Sequence, residues 1–159
     1  MKVDIYRELI SSTRGLTESE DNLIANLANI TALLKERLGY FWIGFYIVDL
    51  KTNQLVLGPF QGPLACTRIA FGKGVCGKCW ESSESLIVPN VHEFTGHIAC
   101  SPFSKSEIVV PIIKKGQVVA VLDIDSDKFD DFNEEDKVGL ERITEILADL
   151  KWLKTDLIS

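Results

Sequence analysis

The stretch Ser106–Asp125, SEIVVPIIKKGQVVAVLDID, reads as two strands folded back on one another. Apolar and β-branched residues fill both arms. Between them Lys114-Lys115-Gly116 forms a three-residue loop with glycine last, the pattern of a type I turn with a bulge. Side chains along a strand alternate between faces. Centring the turn on Lys115 sets Ile113 opposite Gln117, Val109 opposite Val121 and Glu107 opposite Asp123, with Asp125 on the acids' face. The other face carries Ile108, Val110 and Ile112 against Val118, Ala120, Leu122 and Ile124, a surface suited to packing under helices. Like charges facing each other across a sheet destabilise it. In a partly desolvated site they raise at least one carboxyl pKa, so a protonated member can donate while its neighbours bind a cation. The alternative, acids solvated at a strand end, stays open on this pattern alone.

Working outward, Phe41–Val48 (FWIGFYIV) is aromatic, β-branched and short, the composition of a strand. Phe41, Ile43, Phe45 and Ile47 fall on one side, Trp42, Gly44 and Tyr46 on the other. If the first set faces the helices, Trp42 and Tyr46 share the acids' face, and Gly44 leaves a gap between them. Two aromatics beside acids can box an ammonium group and an apolar side chain, although two further core aromatics would look the same. A turn at Asp49–Asn53 leads to a second strand, Gln54–Leu57.

Helices flank these strands. Thr17-Glu18-Ser19-Glu20 has capping-box form ahead of a face made by Leu23, Leu27, Ile30 and Leu34, and Gly39 ends that helix. A shorter amphipathic stretch with Val3, Tyr6, Leu9 and Ile10 precedes it. Asn133 caps a terminal helix with a stripe of Val138, Ile143, Ile146, Leu147 and Leu150. Val75–Ser82 reads as a short helix and Leu86–Val88 as a short strand. The order implies an α+β fold, an antiparallel sheet with N- and C-terminal helices on one face and a loop-rich active-site face on the other. The 159 residues suit a single domain spanning residues 1–159.

The net charge of −6, from 17 basic against 23 acidic residues, argues against a phosphate-backbone partner, so no nucleic acid is expected. No apolar run approaches the roughly 20 residues that span a bilayer. An acid at Asp4 interrupts any leader-like start. No membrane association and a cytoplasmic location are therefore expected.

Cys66, Cys76, Cys79 and Cys100 lie with both histidines in the loop-rich middle. Cys76 follows Gly72-Lys73-Gly74-Val75 at a helix start, where the dipole with Lys73 and Lys78 would favour a thiolate. Cys76, Cys79, His97 and Cys100 have pair spacings compatible with zinc. A thiol redox enzyme with one nucleophile and resolving thiols is the second reading, and small buried apolar residues the third.

Four segments, QLVLGPFQGPLACTRIAFGKGVCG (residues 54–77), GHIACS (96–101), SEIVVPI (106–112) and VLDIDS (121–126), resemble the free methionine-R-sulfoxide reductases, single-domain enzymes of the GAF fold. The likeness runs from about residue 20 to residue 150 and includes the spacing of Cys66, Cys76 and Cys100. It implies that Cys100 is the nucleophile, Cys66 the leading resolving thiol and Cys76 a second thiol. It also implies that Glu107, Asp123 and Asp125 line the substrate pocket with Trp42 and Tyr46. The implied reaction is thiol-dependent reduction of free methionine-(R)-sulfoxide, with thioredoxin as reductant and no metal or organic cofactor. The resemblance leaves room for a homodimer. Cys79 and Trp80 depart from the family's small residues, which leaves open a Cys76–Cys79 disulfide. His97 is expected to make a structural hydrogen bond. A GAF module that senses a small molecule without turnover is the competing class.

Overall fold

The computed structural model describes residues 1–98 and 100–152. Ala99 of the GHIAC motif and the last seven residues of the expected 1–159 span lie outside the described residues. Two helices, α1 (Lys2–Thr17) and α2 (Leu23–Leu38), lead into β1 (Trp42–Asp49), β2 (Gln54–Gln61) and β3 (Arg68–Ala70). Helix α3 (Gly74–Ser82) and β4 (Leu86–Val88) follow, then a 3-10 turn at Val91–Glu93. The hairpin β5 (Ser106–Lys114) and β6 (Gln117–Ser126) precedes α4 (Glu134–Ala148). The six strands form one sheet in the order β3-β2-β1-β6-β5-β4, with antiparallel pairing throughout. Among the described residues no helix is long and apolar enough to cross a membrane.

Strand periodicity divides the apolar side chains into two cores. One holds Ile43 and Phe45 of β1, Ile108, Val110 and Ile112 of β5, and Ala120, Leu122 and Ile124 of β6, covered by α1, α2 and α4. The other holds Trp42, Tyr46, Val109 and Val121 under α3, with Val75, Cys76, Cys79 and Trp80. The helices thus pack on one sheet face as the residue pattern implied, and α3 with its loops closes the opposite face.

Several local expectations are corrected. Thr17 caps nothing: it is the last residue of α1, and its hydroxyl donates to the Thr13 carbonyl at 2.8 Å. Asn22 caps α2 instead, accepting from the Ala25 amide at 2.9 Å, and Gly39 ends it in the left-handed region as expected. Phe41 lies just ahead of β1, free of the strand's alternation, and packs on the second core. In α4, Val138 points to solvent and Leu140 is buried in its place, because the buried face runs through Gly139, Leu140, Ile143 and Leu147, and Val138 falls off it. The Asn133 cap is present as a full capping box with Asp136.

The hairpin differs in register. Lys114 pairs with Gln117, so Lys115 and Gly116 alone form the turn, with φ of 53° and 79°. Two successive positive φ values are the signature of a type I′ turn, whose twist matches the strands it joins. A bulge beyond Ile113 then shifts the pairing, and Val109 faces Asp123 while Glu107 faces Asp125. Relative to the turn-centred expectation the arms have slipped by two residues. An even slip leaves every side chain beyond the bulge on its face, so the acids stay together and the core strip stays apolar. Val118 lies on the turn side of the bulge and moves to the second core, and Val119 packs on the first.

Candidate active site

β1 and β6 run side by side in the middle of the sheet, and their register builds the floor of a pocket. Trp42 stands opposite Asp125 and Gly44 opposite Asp123, while Glu107 faces Asp125 from β5. The alternation that buries Phe45 and Leu122 on the helix side therefore turns an aromatic, a glycine and three acids to the other side. Gly44 is required there. A Cβ at this position would collide with the Phe60 side chain and come within 2.7 Å of the Trp42 ring. Gly44→Ala is therefore expected to displace Trp42 and raise the KM of the pocket's ligand on the order of tenfold, the effect of a misplaced binding group. Unchanged steady-state kinetics would contradict this placement.

Above the floor sits the first turn of α3. It is drawn against β3 because Gly77 has no side chain: a Cβ there would lie 2.7 Å from the Ala70 carbonyl oxygen. This approach inserts Cys76 into the acid cluster, and a donor atom from each of Cys76, Glu107 and Asp123 lies within 4.8 Å of the other two. Glu107 and Asp123 are buried, Asp125 half-buried. Ser104 donates to Asp125 Oδ1 at 3.2 Å, and Asp123 Oδ1 is buried with no hydrogen-bond partner among the described residues. The cavity beside them holds about 50 Å3 and is walled by Trp42, Tyr46, Ile69, Val75, His97 and Cys100 as well as the acids.

Burial dominates the electrostatics. It pushes Glu107 well above the usual carboxylate range, reinforced by the charges of Asp123 and Asp125. Asp125 is raised well above its ordinary value by burial and Asp123, with the Ser104 hydroxyl pulling back. Asp123 is raised by burial but eased down by hydrogen bonds from Glu107 and Cys76, so it ionises most readily of the three. The helix dipole and lysines do not make Cys76 a thiolate: burial and the neighbouring acids raise it strongly, so at neutral pH it is a thiol. His97 is lowered by burial and by His92, and its ring lines the pocket.

Cys66 and Cys100 are joined in a disulfide, their Cα atoms 5.5 Å apart, at the edge of this cavity. Cys76 and Cys79 are free buried thiols, so the Cys76–Cys79 pairing left open by their spacing is not formed. The zinc quartet is not assembled either. Cys100 is bonded to Cys66, and the Cys79 thiol approaches the Val109 carbonyl at 3.8 Å. Among the described residues, the group able to hold a metal ion is Cys76, Glu107 and Asp123.

Trp42 and Tyr46 do more than line the wall. Trp42 Nε1 donates to the Pro63 carbonyl at 3.0 Å, and the Tyr46 hydroxyl donates to the Cys66 carbonyl at 2.9 Å. Their polar edges hold the loop that carries one half of the disulfide, and both side chains line the pocket. Phe60 stacks on Trp42 with ring centroids 5.3 Å apart. Sequence reasoning missed Phe60 and Ser104. Phe60 follows Pro59 at the far end of β2, beyond the expected strand, and a lone serine in a loop gives no signal.

A curled antiparallel sheet with helices on one face and a loop-walled pocket on the other is the architecture of a GAF domain, and the GAF domain family model matches residues 18–150. GAF domain-containing protein A from Dictyostelium discoideum is 54% identical over 146 residues, 92% of each chain. The free methionine-R-sulfoxide reductase of Escherichia coli (strain K12) is 46% identical over 143 residues, covering 89% of this chain and 86% of that protein. The X-ray structure of free methionine-R-sulfoxide reductase from Neisseria meningitidis in complex with its substrate superposes with a TM-score of 0.92. It is 47% identical and covers 93% of this chain and 89% of the other. The chain belongs to the free methionine-R-sulfoxide reductase family of GAF-domain proteins.

Proposed function

We propose that this chain reduces free L-methionine-(R)-S-oxide to methionine. The observation that carries the reading is the convergence of Cys100, already linked to a second cysteine, on a buried nest of Glu107, Asp123 and Asp125. Asp123, the readiest of the three to ionise and with a buried unpaired Oδ1, receives the ammonium group of the free amino acid with Asp125 beside it. Trp42 and Tyr46 pack the S-methyl end. A peptide-linked residue has no ammonium to offer and would leave buried carboxylates unpaired, a loss that hydrogen-bonding pockets convert into strong rejection.

Glu107 is held protonated by burial and by the two aspartates beside it, and it is the donor to the sulfoxide oxygen. The Cys100 thiolate attacks the electrophilic sulfur. Oxygen passes to Cys100, methionine leaves, and a sulfenic acid remains. Cys66 condenses with it, releasing water and forming the disulfide. A thioredoxin-type dithiol returns both thiols and becomes a disulfide itself. Cys66 is favoured over Cys76 as the resolving thiol because Cys76 is buried and held as a thiol by the acids around it. Cys76 instead sits against Glu107 and Asp123, a donor atom of each within 4.8 Å of the other two.

The test is a stereospecific assay with dithiothreitol as reductant. Free methionine-(R)-sulfoxide should be turned over, while the S epimer and an N-acetylated or peptide-linked R-sulfoxide should be left intact. Binding of the free sulfoxide without consumption would identify a sensor and overturn the proposal.

A further inference from the structure

The structure assigns the rim around the Cys66–Cys100 disulfide as the docking face for a protein dithiol, a step that rests on the reductase reading above. Each half-cystine is flanked closely in sequence by a large apolar side chain left in solvent. Leu64, two residues before Cys66, is 90% exposed; Ile98, two before Cys100, is 39% exposed; and Phe103, three after it, is 66% exposed. Single exposed apolar residues are ordinary. Three carried on the two segments that one reactive bond joins, Leu64 and Ile98 at the lip of the cavity and Phe103 outside it, are the grouping that marks a contact surface.

The same segments are bare of charge. Residues 62–67 and 96–104 contain no Lys, Arg, Asp or Glu, and His97 alone carries an ionisable side chain besides the two cysteines, in a chain that is 25% charged. A zwitterionic amino acid held at the acid nest gains nothing from Phe103, which stands outside the cavity lining. The uncharged apolar rim fits a partner whose attacking thiol is itself set in an apolar protein surface. The occupant is identified by the bond at the patch centre, because the reductant must bring a thiolate in line with it. Its thiolate attacks one sulfur, giving a mixed disulfide and freeing the other sulfur as a thiolate. The partner's second thiol then attacks the mixed disulfide. Two electrons and two protons enter this chain, and the partner leaves oxidised.

Phe103→Glu tests the assignment, with Phe103→Ser as a second variant; Leu64 and Ile98 also line the cavity and are left in place. The KM for a thioredoxin should rise on the order of tenfold in Phe103→Glu, as expected for loss of an interface anchor. Turnover of free methionine-(R)-sulfoxide driven by dithiothreitol should stay within about twofold of the parent, as a surface change away from the site should. A thioredoxin lacking its second thiol should trap less mixed disulfide with the variant than with the parent. An unchanged KM and undiminished trapping in both variants would overturn the docking face while leaving the reductase reading intact. An equal loss with both reductants would overturn it too, by showing that Phe103 acts within the chemistry. Absence of dithiothreitol-driven turnover in the parent would instead remove the reductase reading.

Discussion

Replacing Cys100 with serine is expected to abolish turnover of free methionine-(R)-sulfoxide, by a factor of at least about 10³, while leaving the ligand bound. A hydroxyl at this position is a poor nucleophile with no thiolate form, and the remaining groups only bind and protonate. Because the same residue closes the disulfide with Cys66, the variant should also show one more free thiol than the oxidised parent on alkylation and intact-mass measurement. Cys66→Ser should behave differently. The first turnover should still release one equivalent of methionine, after which Cys100 accumulates as sulfenic acid and the catalytic cycle slows. If Cys100→Ser retained multiple turnover, the nucleophile would have to be sought elsewhere in the pocket.

Glu107→Gln should produce opposite effects on activity and on stability. Glutamine keeps the size of a protonated glutamic acid and can donate to Asp123 and Asp125, but it has no proton to give, so kcat should fall by about 10²–10⁴. The folded protein should at the same time gain about 1–2 kcal/mol at neutral pH, the scale on which functional strain is released. The sign follows from the raised carboxyl. Between the ordinary glutamate range and its elevated folded value, Glu107 holds a proton in the native state that it has lost in the unfolded chain. The stability of the parent therefore declines as pH rises through that interval. The variant lacks this group, so its melting temperature should exceed the parent's increasingly as pH climbs, with the two converging under acid conditions. In the parent, the alkaline limb of the pH–rate profile belongs to the loss of that same proton. A parent and variant with parallel melting curves from acid to neutral pH would refute the protonated-nest account.

Much of this arrangement was legible in the residue order because strands alternate with a fixed period. That rule put Trp42 and Tyr46 on one side of β1 and Ile43 and Phe45 on the other, and it separated the acids of the hairpin from its apolar strip. The grouping survived even though the hairpin partners were displaced by two, since parity is insensitive to an even slip. Which acids face each other was not legible. The pairing depends on a bulge beyond Ile113, and a bulge follows from how both arms pack on the helices. The helix boundaries were misjudged where local signals competed: Thr17 offers a capping hydroxyl, but the tertiary contacts of α1 carry the helix through it and leave the cap to Asn22.

Cys76 marks the limit of local reading most clearly. Its place at a helix start beside lysines argued for a thiolate, because dipole and neighbouring charge are all that a linear string displays. The fold buries it against Glu107, Asp123 and Asp125, and the loss of water, reinforced by those acids, outweighs a helix terminus. Periodicity defined the α+β class and the face that bears the acids, while the roles of the thiols came only from the family resemblance. The chain's folding in three dimensions settled which cysteine pairs with Cys66, that burial pushes all three carboxyls upward, and that Trp42 and Tyr46 hold the Cys66 loop. These depend on distances between residues far apart in the chain, and on the exclusion of water from the space that they enclose.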